Sequence, residues 1–301
     1  MDWKSTIHGF EAYLLLERSL SANSIEAYQS DISKLCIYSL DTLLISSPVS
    51  LTIDHLEGFI KYISQIGISD RSQARLISGI KAFFKYLLIE NLINDDPSEL
   101  IEGPKLSRKI PDFLTIEEMD KVLSAIDFTH EQGQRNRAIL ETLYSCGLRV
   151  SELTNLKLSN YFPQDEVIRV IGKNNKERIC PIGSEAIKHI DYYLESVRRH
   201  MKIIQKGSED ILFLNRRGRR LTRVMIFHIV KKVIQDAGIK KTVSPHTFRH
   251  SFATHLVEGG ADLKSVQDML GHESITTTEI YTHLDTKYLR DTILLYHPRN
   301  N

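Results

Sequence analysis

The sequence predicts a mainly helical protein of two domains, with a small antiparallel sheet in the second. Apolar residues recur at helical spacing through the first hundred residues. The segment IEGPKLSRKIPDFLT at 101–115 is basic, contains two prolines and a glycine, and is typical of a linker. Beyond it, 166–172 and 178–183 look like strands among helical segments. With 301 residues, 42% of them hydrophobic, the chain is long enough for two cores.

The two parts of the chain differ in charge. Residues 1–106 hold 9 Lys and Arg against 14 Asp and Glu, a net charge of about −5. The remainder holds 39 − 9 = 30 against 38 − 14 = 24, about +6. This difference favours two domains. We predict an N-terminal helical domain over 1–103, a linker over 104–108 and a second domain over 109–301.

Several classes of protein are disfavoured by composition. No run of 18 uncharged apolar residues predicts a membrane span, and the start MDWKSTIHGFE lacks the layout of a signal peptide. Cys36, Cys146 and Cys180 are isolated, so we expect a reducing cytoplasm and no zinc. Without a GxxxxGK[ST] loop or clustered carboxylates, ATP, a divalent metal and metal-dependent nuclease chemistry are not expected. We predict no cofactor.

The stretch 70–88, DRSQARLISGIKAFFKYLL, is predicted to form an amphipathic helix. Its basic residues fall within one arc of about 120° on a helical wheel, and no acid occurs between 71 and 85. These residues are Arg71, Arg75, Lys81 and Lys85. Apolar residues occupy the opposite arc: Leu76, Ile77, Ile80, Phe83, Phe84 and Leu87. The basic face is either an ordinary solvated surface or a surface that contacts DNA phosphates.

The second domain is predicted to start with a helix capped by Thr115 and Glu118, which have capping-box spacing. A further helix breaks at Gly147, before the strands 166–172 and 178–183 and their polar turn KNNKE. Later helices are predicted at 184–202, 221–237, 245–258 and 262–270, the last of which ends at Gly271.

Arg149, in the segment CGLRVSEL, follows the helix-breaking glycine directly. Glu152 lies three residues further on and has two interpretations. It forms an ordinary surface ion pair with Arg149, or it orients Arg149 toward a ligand.

The segment SPHTFRHSFATHL carries a second group of polar residues. His246 and Arg249 have i, i+3 spacing and share a helix face, with His250 beside Arg249. A guanidinium binds a phosphate through two N–H groups, and an imidazole supplies one more donor. The other interpretation is a charge pair at a helix end.

Lys173 and Tyr281 have both an ordinary and a functional interpretation. Lys173 opens the turn between the strands. Its side chain is either simply solvated or a cation that reaches toward a bound backbone. Tyr281, in TTTEIYTHLD, lies nine positions past His272 (281 − 272 = 9). Its ring is either packed in the protein or serves as a nucleophile.

Together these residues supply each group needed for attack of a tyrosine on a phosphodiester. Forming a phenolate at pH 7 from a pKa of about 10 costs about 4 kcal/mol unless a base or nearby cations assist. Arginines and histidine stabilise charge on the phosphate oxygens, and a lysine protonates the leaving 5′-oxygen. The set is Arg149, Lys173, His246, Arg249, His272 and Tyr281.

The ordered motifs GLRVSEL, IGKNNKER, HTFRHSFATHL and LGHESITTTEIYTHL resemble those of the tyrosine recombinases, most closely the bacterial XerC/XerD chromosome-dimer resolvases. The likeness extends to SANSIEAYQSDI and EGPKLSRKIP, and so to nearly the whole chain. It implies that Tyr281 is the nucleophile and that the other five residues of the set activate the phosphate. Two features depart from the pattern: Ser145-Cys146 before Gly147, and the acidic first domain.

The resemblance also implies a SAM-like core-binding domain and a catalytic domain that close around duplex DNA. The expected activity is site-specific recombination through a 3′-phosphotyrosyl bond and a Holliday junction, which resolves chromosome dimers at cell division. The expected partners are a recombination site, a tetramer with itself or a paralogue, and a septal DNA translocase. Alternatives are an integrase of a phage or conjugative element, a type IB topoisomerase, and a non-catalytic DNA-binding regulator.

The tail TKYLRDTILLYHPRNN at 286–301 predicts a final helix that ends at Pro298. Leu289, Ile293 and Tyr296 recur at i, i+4 and i+7, which gives one apolar stripe. The stripe packs on its own domain or, as the resemblance implies, serves as an exchange helix donated to a neighbouring protomer in a ring.

Overall fold

The computed structural model describes residues 2–105, 112–172, 175–271 and 283–299, with side chains of the last segment described from 289 onward. The chain divides into two units, Met1–Lys109 and Ile110–Asn301, and each has its own hydrophobic core. The fold class is as predicted, because both units are mainly helical and the second contains a small antiparallel sheet. None of the described helices is long and apolar enough to cross a membrane.

The first unit contains helices α1 (Trp3–Leu16), α2 (Ala22–Asp41), α3 (Ile53–Gln65) and α4 (Asp70–Ile89). The apolar arc predicted for α4 is buried, which confirms the amphipathic helix. Phe83 on this arc contacts Phe10 edge to face, with 5.3 Å between ring centroids, and stacks on Trp3 at 6.1 Å. The core therefore depends on aromatic residues from α1 and α4.

The second unit begins with α5 (Ile116–Ser124), α6 (Gly133–Cys146) and α7 (Val150–Thr154). The predicted capping box of α5 is confirmed: the Thr115 N–H donates to Glu118 Oε2 at 2.9 Å, and the Glu118 N–H donates to Thr115 Oγ1 at 3.2 Å. Gly147 ends α6 with a φ of +55°, and a Cβ there would lie 2.5 Å from Cδ1 of Phe252. The glycine thus allows close packing and the sharp turn that leads to Arg149.

The sheet has the order β1-β2-β3, from β1 (Tyr161–Phe162), β2 (Val167–Ile171) and β3 (Glu177–Pro181), all antiparallel. The two predicted strands are confirmed, while the short β1 was not predicted. The Gly172 N–H donates to the Lys176 carbonyl at 2.8 Å, at the end of the β2–β3 pair.

The later helices are α8 (Ser184–Ser196), α9 (Arg223–Asp236), α10 (Pro245–Gly259), α11 (Leu263–Leu270) and α12 (His283–Tyr296). The predicted helix at 184–202 is too long, because α8 ends at Ser196 and a 3₁₀ turn follows at Arg198–His200. Gly271 caps α11 with a φ of +64°, as predicted.

In this single chain, α12 packs on its own unit. Leu289 and Ile293 are buried in the core of the second unit, and His297 just beyond the helix is completely buried. Arg299 then pairs with Glu141 at 2.6 Å. Of the two alternatives for the tail, packing on its own domain is therefore the one that the free chain adopts.

Candidate active site

Glu152 on α7 is the centre of a group of charged side chains. Its carboxylate is 2% exposed, so the interpretation as a surface ion pair was wrong. Oε2 accepts the Arg149 main-chain N–H at 2.8 Å, and Oε1 accepts Arg149 Nη1 at 2.9 Å. Arg178 on β3 donates to both oxygens, each at 2.9 Å, in a two-pronged pair. The sequence predicted the contact with Arg149 and missed the one with Arg178.

The same arginines converge on the C-terminal end of α11. The Met269 carbonyl accepts Arg178 Nε at 2.9 Å, and the Leu270 carbonyl accepts Arg249 Nη2 at 2.6 Å. Arg149 is within 3.5 Å of the Leu270 carbonyl and 3.4 Å of the Gly271 carbonyl. The last carbonyls of a helix lack partners within the helix and carry its negative dipole end, so cations are favoured there. We call Arg149, Glu152, Arg178 and Arg249 the arginine cluster.

Helix α10 supplies the second predicted group of residues. Arg249 lies three positions after the exposed His246, and its Nη1 donates to the Gly147 carbonyl at 2.7 Å. Its side chain is 11% exposed, and Nη1 is 4.0 Å from Glu152 Oε2. The His250 ring lies against Phe113, with 6.3 Å between ring centroids. Arg249 therefore belongs to the cluster, while the described ring contact of His250 is with Phe113.

The charged groups of the cluster shift the pKa values of Glu152 and Arg249, and both groups remain ionised at pH 7. Burial opposes ionisation of Glu152, but the hydrogen bonds and charge of Arg178, followed by those of Arg149, outweigh it and lower the pKa of the carboxyl. Burial and then the nearby Arg149 lower the pKa of Arg249 to about 10, which leaves it protonated at pH 7. Three cations and one anion leave a net charge of +2 (3 − 1 = 2). Such a cluster suits an anionic ligand.

Lys173, His272 and Tyr281 lie outside the described residues. Their described neighbours on the chain lie beside the cluster: a Cβ at Gly172 would be 3.6 Å from Glu152 Oε1, and a Cβ at Gly271 would be 3.1 Å from Arg178 Cδ.

The basic face of α4 is described completely. Arg75 binds Asp31 on α2 through Nη1 at 2.6 Å and Nη2 at 2.9 Å, and Lys81 donates to the Glu99 carbonyl at 3.1 Å. Arg71 and Lys85 are exposed, and neither side chain has a hydrogen bond or ion pair with a residue in the part of the chain that the structure describes. Two of the four predicted cations thus have partners inside their own unit.

A second basic surface was missed at the sequence level. Residues 211–235 contain seven Lys and Arg and no Asp or Glu, which was the available signal. The exposed members at its start are Arg216, Arg217, Arg219, Arg220 and Arg223. The turn among them is closed by the Asn215 N–H, which donates to the Arg219 carbonyl at 2.8 Å. We call 213–223 the arginine turn.

No group of three or more His, Cys, Asp or Glu within the described ranges is placed to hold a metal ion.

Known proteins are similar to this chain along almost its whole length. The phage integrase family matches residues 112–287, and the N-terminal SAM-like domain of phage integrases matches residues 7–91. The tyrosine recombinase XerD of Listeria innocua is 41% identical over 97% of this chain and 98% of its own. The XerD of Chlorobaculum tepidum is 42% identical over 99% of this chain and 97% of its own.

Among solved structures, the XerH site-specific recombinase bound to a palindromic difH substrate, in a post-cleavage complex, is also similar. It is 25% identical, with a TM-score of 0.71 over 92% of this chain and 81% of that one.

Proposed function

The chain belongs to the phage integrase family and is a tyrosine recombinase, and we propose that it cuts and rejoins duplex DNA at a specific site through Tyr281. The Tyr281 oxygen attacks the scissile phosphorus, forms a 3′-phosphotyrosyl bond and releases the 5′-hydroxyl. The 5′-hydroxyl of a partner strand then attacks this bond and regenerates the tyrosine. Because one phosphoester replaces another in each step, neither ATP nor a cofactor is required.

The observation that carries the proposal is the arginine cluster. A phosphodiester gains negative charge on its non-bridging oxygens as it becomes pentavalent, and prearranged cations stabilise that charge. The cluster has a net charge of +2, and its most exposed arginine, Arg149, has a side chain that is 37% exposed. Arg149 therefore offers donors to a phosphate, with Arg249 beside it. His246, exposed in the first turn of α10, adds a further donor.

We assign the remaining steps to two residues that are adjacent in sequence to glycines beside the cluster. Lys173, next to Gly172, protonates the leaving 5′-oxygen, because an ammonium on a hairpin turn reaches over a bound backbone. His272, next to Gly271, donates a hydrogen bond to the phosphate. These roles come from the family resemblance and from the positions of the two glycines beside the cluster.

DNA binding outside the cleavage site is assigned to two basic surfaces. In the first unit, Arg71 and Lys85 are the cations of α4 best placed for phosphates, while Arg75 and Lys81 also bind within the unit. In the second unit, the arginine turn presents exposed guanidiniums without intervening acids. Such contacts add affinity for any DNA sequence, and specificity requires base contacts.

The proposed assembly and biological role are those that the family resemblance implies. We propose that the protein acts in the cytoplasm as a tetramer on DNA, with itself or a paralogue, and resolves chromosome dimers at cell division through a Holliday junction. A septal DNA translocase is the proposed regulator. In this assembly α12 leaves its own unit and docks on a neighbour, so truncation after Asp285 should abolish tetramers on full sites in light-scattering measurements. A truncated protein that still forms tetramers excludes the exchange.

The direct test is covalent trapping. Incubation with nicked suicide duplexes that carry candidate recombination sites should give a protein–DNA band on a denaturing gel, insensitive to EDTA. Tyr281→Phe should still bind DNA and give no band. Tyr192→Phe, at an exposed tyrosine on α8, is the matched control and should give the wild-type band. A Tyr281→Phe band at wild-type yield would refute the assignment.

A further inference from the structure

We propose that Arg178 is a positioning residue for strand cleavage. It holds Glu152, and through Glu152 the Arg149 guanidinium, in place at the end of α11. This inference rests on the proposed function, in which Arg149 binds the scissile phosphate. Arg178 itself does not touch the DNA in this proposal.

Each of the three guanidinium nitrogens of Arg178 has a partner within the protein. Nε donates to the Met269 carbonyl, and Nη1 and Nη2 donate to the two oxygens of Glu152, each at 2.9 Å. The side chain is 7% exposed, against 37% for Arg149. Because each of its three nitrogens already donates within the protein, we assign its effect on the reaction to the groups that it binds.

The first of these groups is Glu152. Each carboxylate oxygen accepts one hydrogen bond from Arg178 and one from Arg149, through Nη1 on Oε1 and through the main-chain N–H on Oε2. The carboxylate thus lies between an enclosed arginine and an exposed one. A glutamate has several rotatable bonds, and only a fixed carboxylate gives the exposed guanidinium a fixed direction.

The second group is the end of α11. Arg178 binds the Met269 carbonyl, and the next two carbonyls, of Leu270 and Gly271, lie next to Arg249 and Arg149. Gly271 is also packed against Arg178, since a Cβ there would be 3.2 Å from its Nε and Nη1. One side chain on β3 therefore fixes both surfaces that Arg149 contacts.

A lysine at position 178 keeps the charge and loses the geometry. Its single nitrogen on a flexible stem cannot make two parallel bonds to a carboxylate and a third to a carbonyl. Arg178→Lys therefore separates positioning from charge.

The test is single-turnover cleavage of a suicide duplex at saturating DNA, with the dissociation constant measured separately. By analogy with residues that orient metal ligands, Arg178→Lys should lower the cleavage rate by about 10- to 100-fold and leave the dissociation constant near the wild-type value. Arg137→Lys is the matched control, because Arg137 also binds a buried carboxylate, donating through Nε to Glu141 Oε1 at 2.9 Å, outside the cluster. It should lower the melting temperature and keep the wild-type rate.

The decisive readout is a double-mutant comparison. If Arg178 acts through Arg149, then adding Arg178→Lys to Arg149→Ala should cost less than about twofold in rate. A purely structural role would instead multiply the two losses, as would a separate contact with DNA. The proposal is overturned if the two losses in cleavage rate multiply fully, or if Arg178→Lys cleaves at the wild-type rate.

Should Arg178→Lys fail to fold, the pair Glu152→Gln with Arg178→Met removes both charges together, which proteins tolerate better than one unpaired charge. The proposal predicts that adding Arg149→Ala to this pair lowers the rate less than about twofold further; a further loss as large as that of Arg149→Ala in the wild-type protein overturns it. Failure of the proposed function is distinguishable, because wild type would then give no Tyr281-dependent covalent band.

Discussion

Each unit of the molecule contains a buried carboxylate with cationic partners, and the two sites differ in how tightly those cations are held. Asp31, completely buried in the first unit, binds Arg75 at 2.6 Å and Lys34 at 3.3 Å, whose side chains are 49% and 42% exposed. Glu152, in the second unit, has arginine partners that are 37%, 7% and 11% exposed. The first site leaves its cations in solvent, and the second encloses most of them.

This difference indicates two uses of positive charge. An enclosed cation with several fixed partners needs little rearrangement when charge develops nearby, which suits stabilisation of a transition state. A solvated cation on a helix attracts phosphates of any sequence and is screened by salt, which suits binding. We therefore expect the cations of the arginine cluster to control the cleavage rate and those of α4 to control affinity.

The largest effect should follow removal of the enclosed carboxylate. Glu152→Gln leaves Arg178 and Arg249 buried without their anion and should lower the free energy of unfolding by about 3–5 kcal/mol. Asp31→Asn should cost about 1–3 kcal/mol, because Arg75 remains half in water. Urea denaturation at pH 7 compares the two variants. An equal loss would show that enclosure does not distinguish the sites.

The ion pairs of Glu152 also predict how the stability of the protein depends on pH. The pKa of Glu152 in the folded protein is below its ordinary value of 4.5. A depressed carboxyl pKa stabilises the fold above about pH 4.5, and this contribution is lost as pH falls through the folded value. The difference in unfolding free energy between wild type and Glu152→Gln should therefore shrink below pH 4.5.

The next largest effect concerns the reaction. Arg149→Ala and Arg249→Ala should each lower the single-turnover cleavage rate by about 10²- to 10³-fold, the cost of losing one donor to a developing oxyanion. Quantified covalent bands over time give this rate. Losses below tenfold in both variants would mean that the cluster acts in folding only.

The smallest effect is expected on α4. Replacing Arg71 and Lys85 together by Gln should weaken binding to all DNA sequences alike and flatten the salt dependence of log K by up to about 0.9 for each phosphate that is no longer neutralised. Replacing Arg75 and Lys81 instead should also lower the melting temperature, because these residues bind within the unit. Unchanged affinity and slope in both variants would identify the face as an ordinary solvated surface.

The sequence predicted local features well and long-range contacts poorly. The capping box of Thr115 and the turn at Gly147 depend on residues close in sequence, and both were predicted. The motifs also predicted membership of the tyrosine recombinases, which the comparisons confirm. Arg178 joins Glu152 and Met269 across 26 and 91 positions, and no local pattern predicts such a contact.

The sequence of β3 does contain one indication that Arg178 is buried, although it does not identify the partner. Arg178 and Cys180 occupy alternate positions of β3 and are both buried, while Ile179 between them is half-exposed. A charged residue in the buried register indicates a buried partner. The helical wheel also placed Arg75 on the correct face of α4. It did not identify the partner of Arg75, because Asp31 lies on another helix.

The central claim is that the arginine cluster controls the cleavage rate and α4 controls DNA affinity. The most direct test measures the cleavage rate at saturating DNA and the dissociation constant on one suicide duplex for two variants. Arg149→Ala should lower the cleavage rate at saturating DNA by about 10²- to 10³-fold and leave the dissociation constant within about threefold of wild type. Arg71→Gln with Lys85→Gln should raise the dissociation constant and leave the saturated rate unchanged. The opposite pattern would contradict it: an Arg149→Ala protein that cleaves at the wild-type rate once saturated, or an α4 variant that binds normally and cleaves slowly.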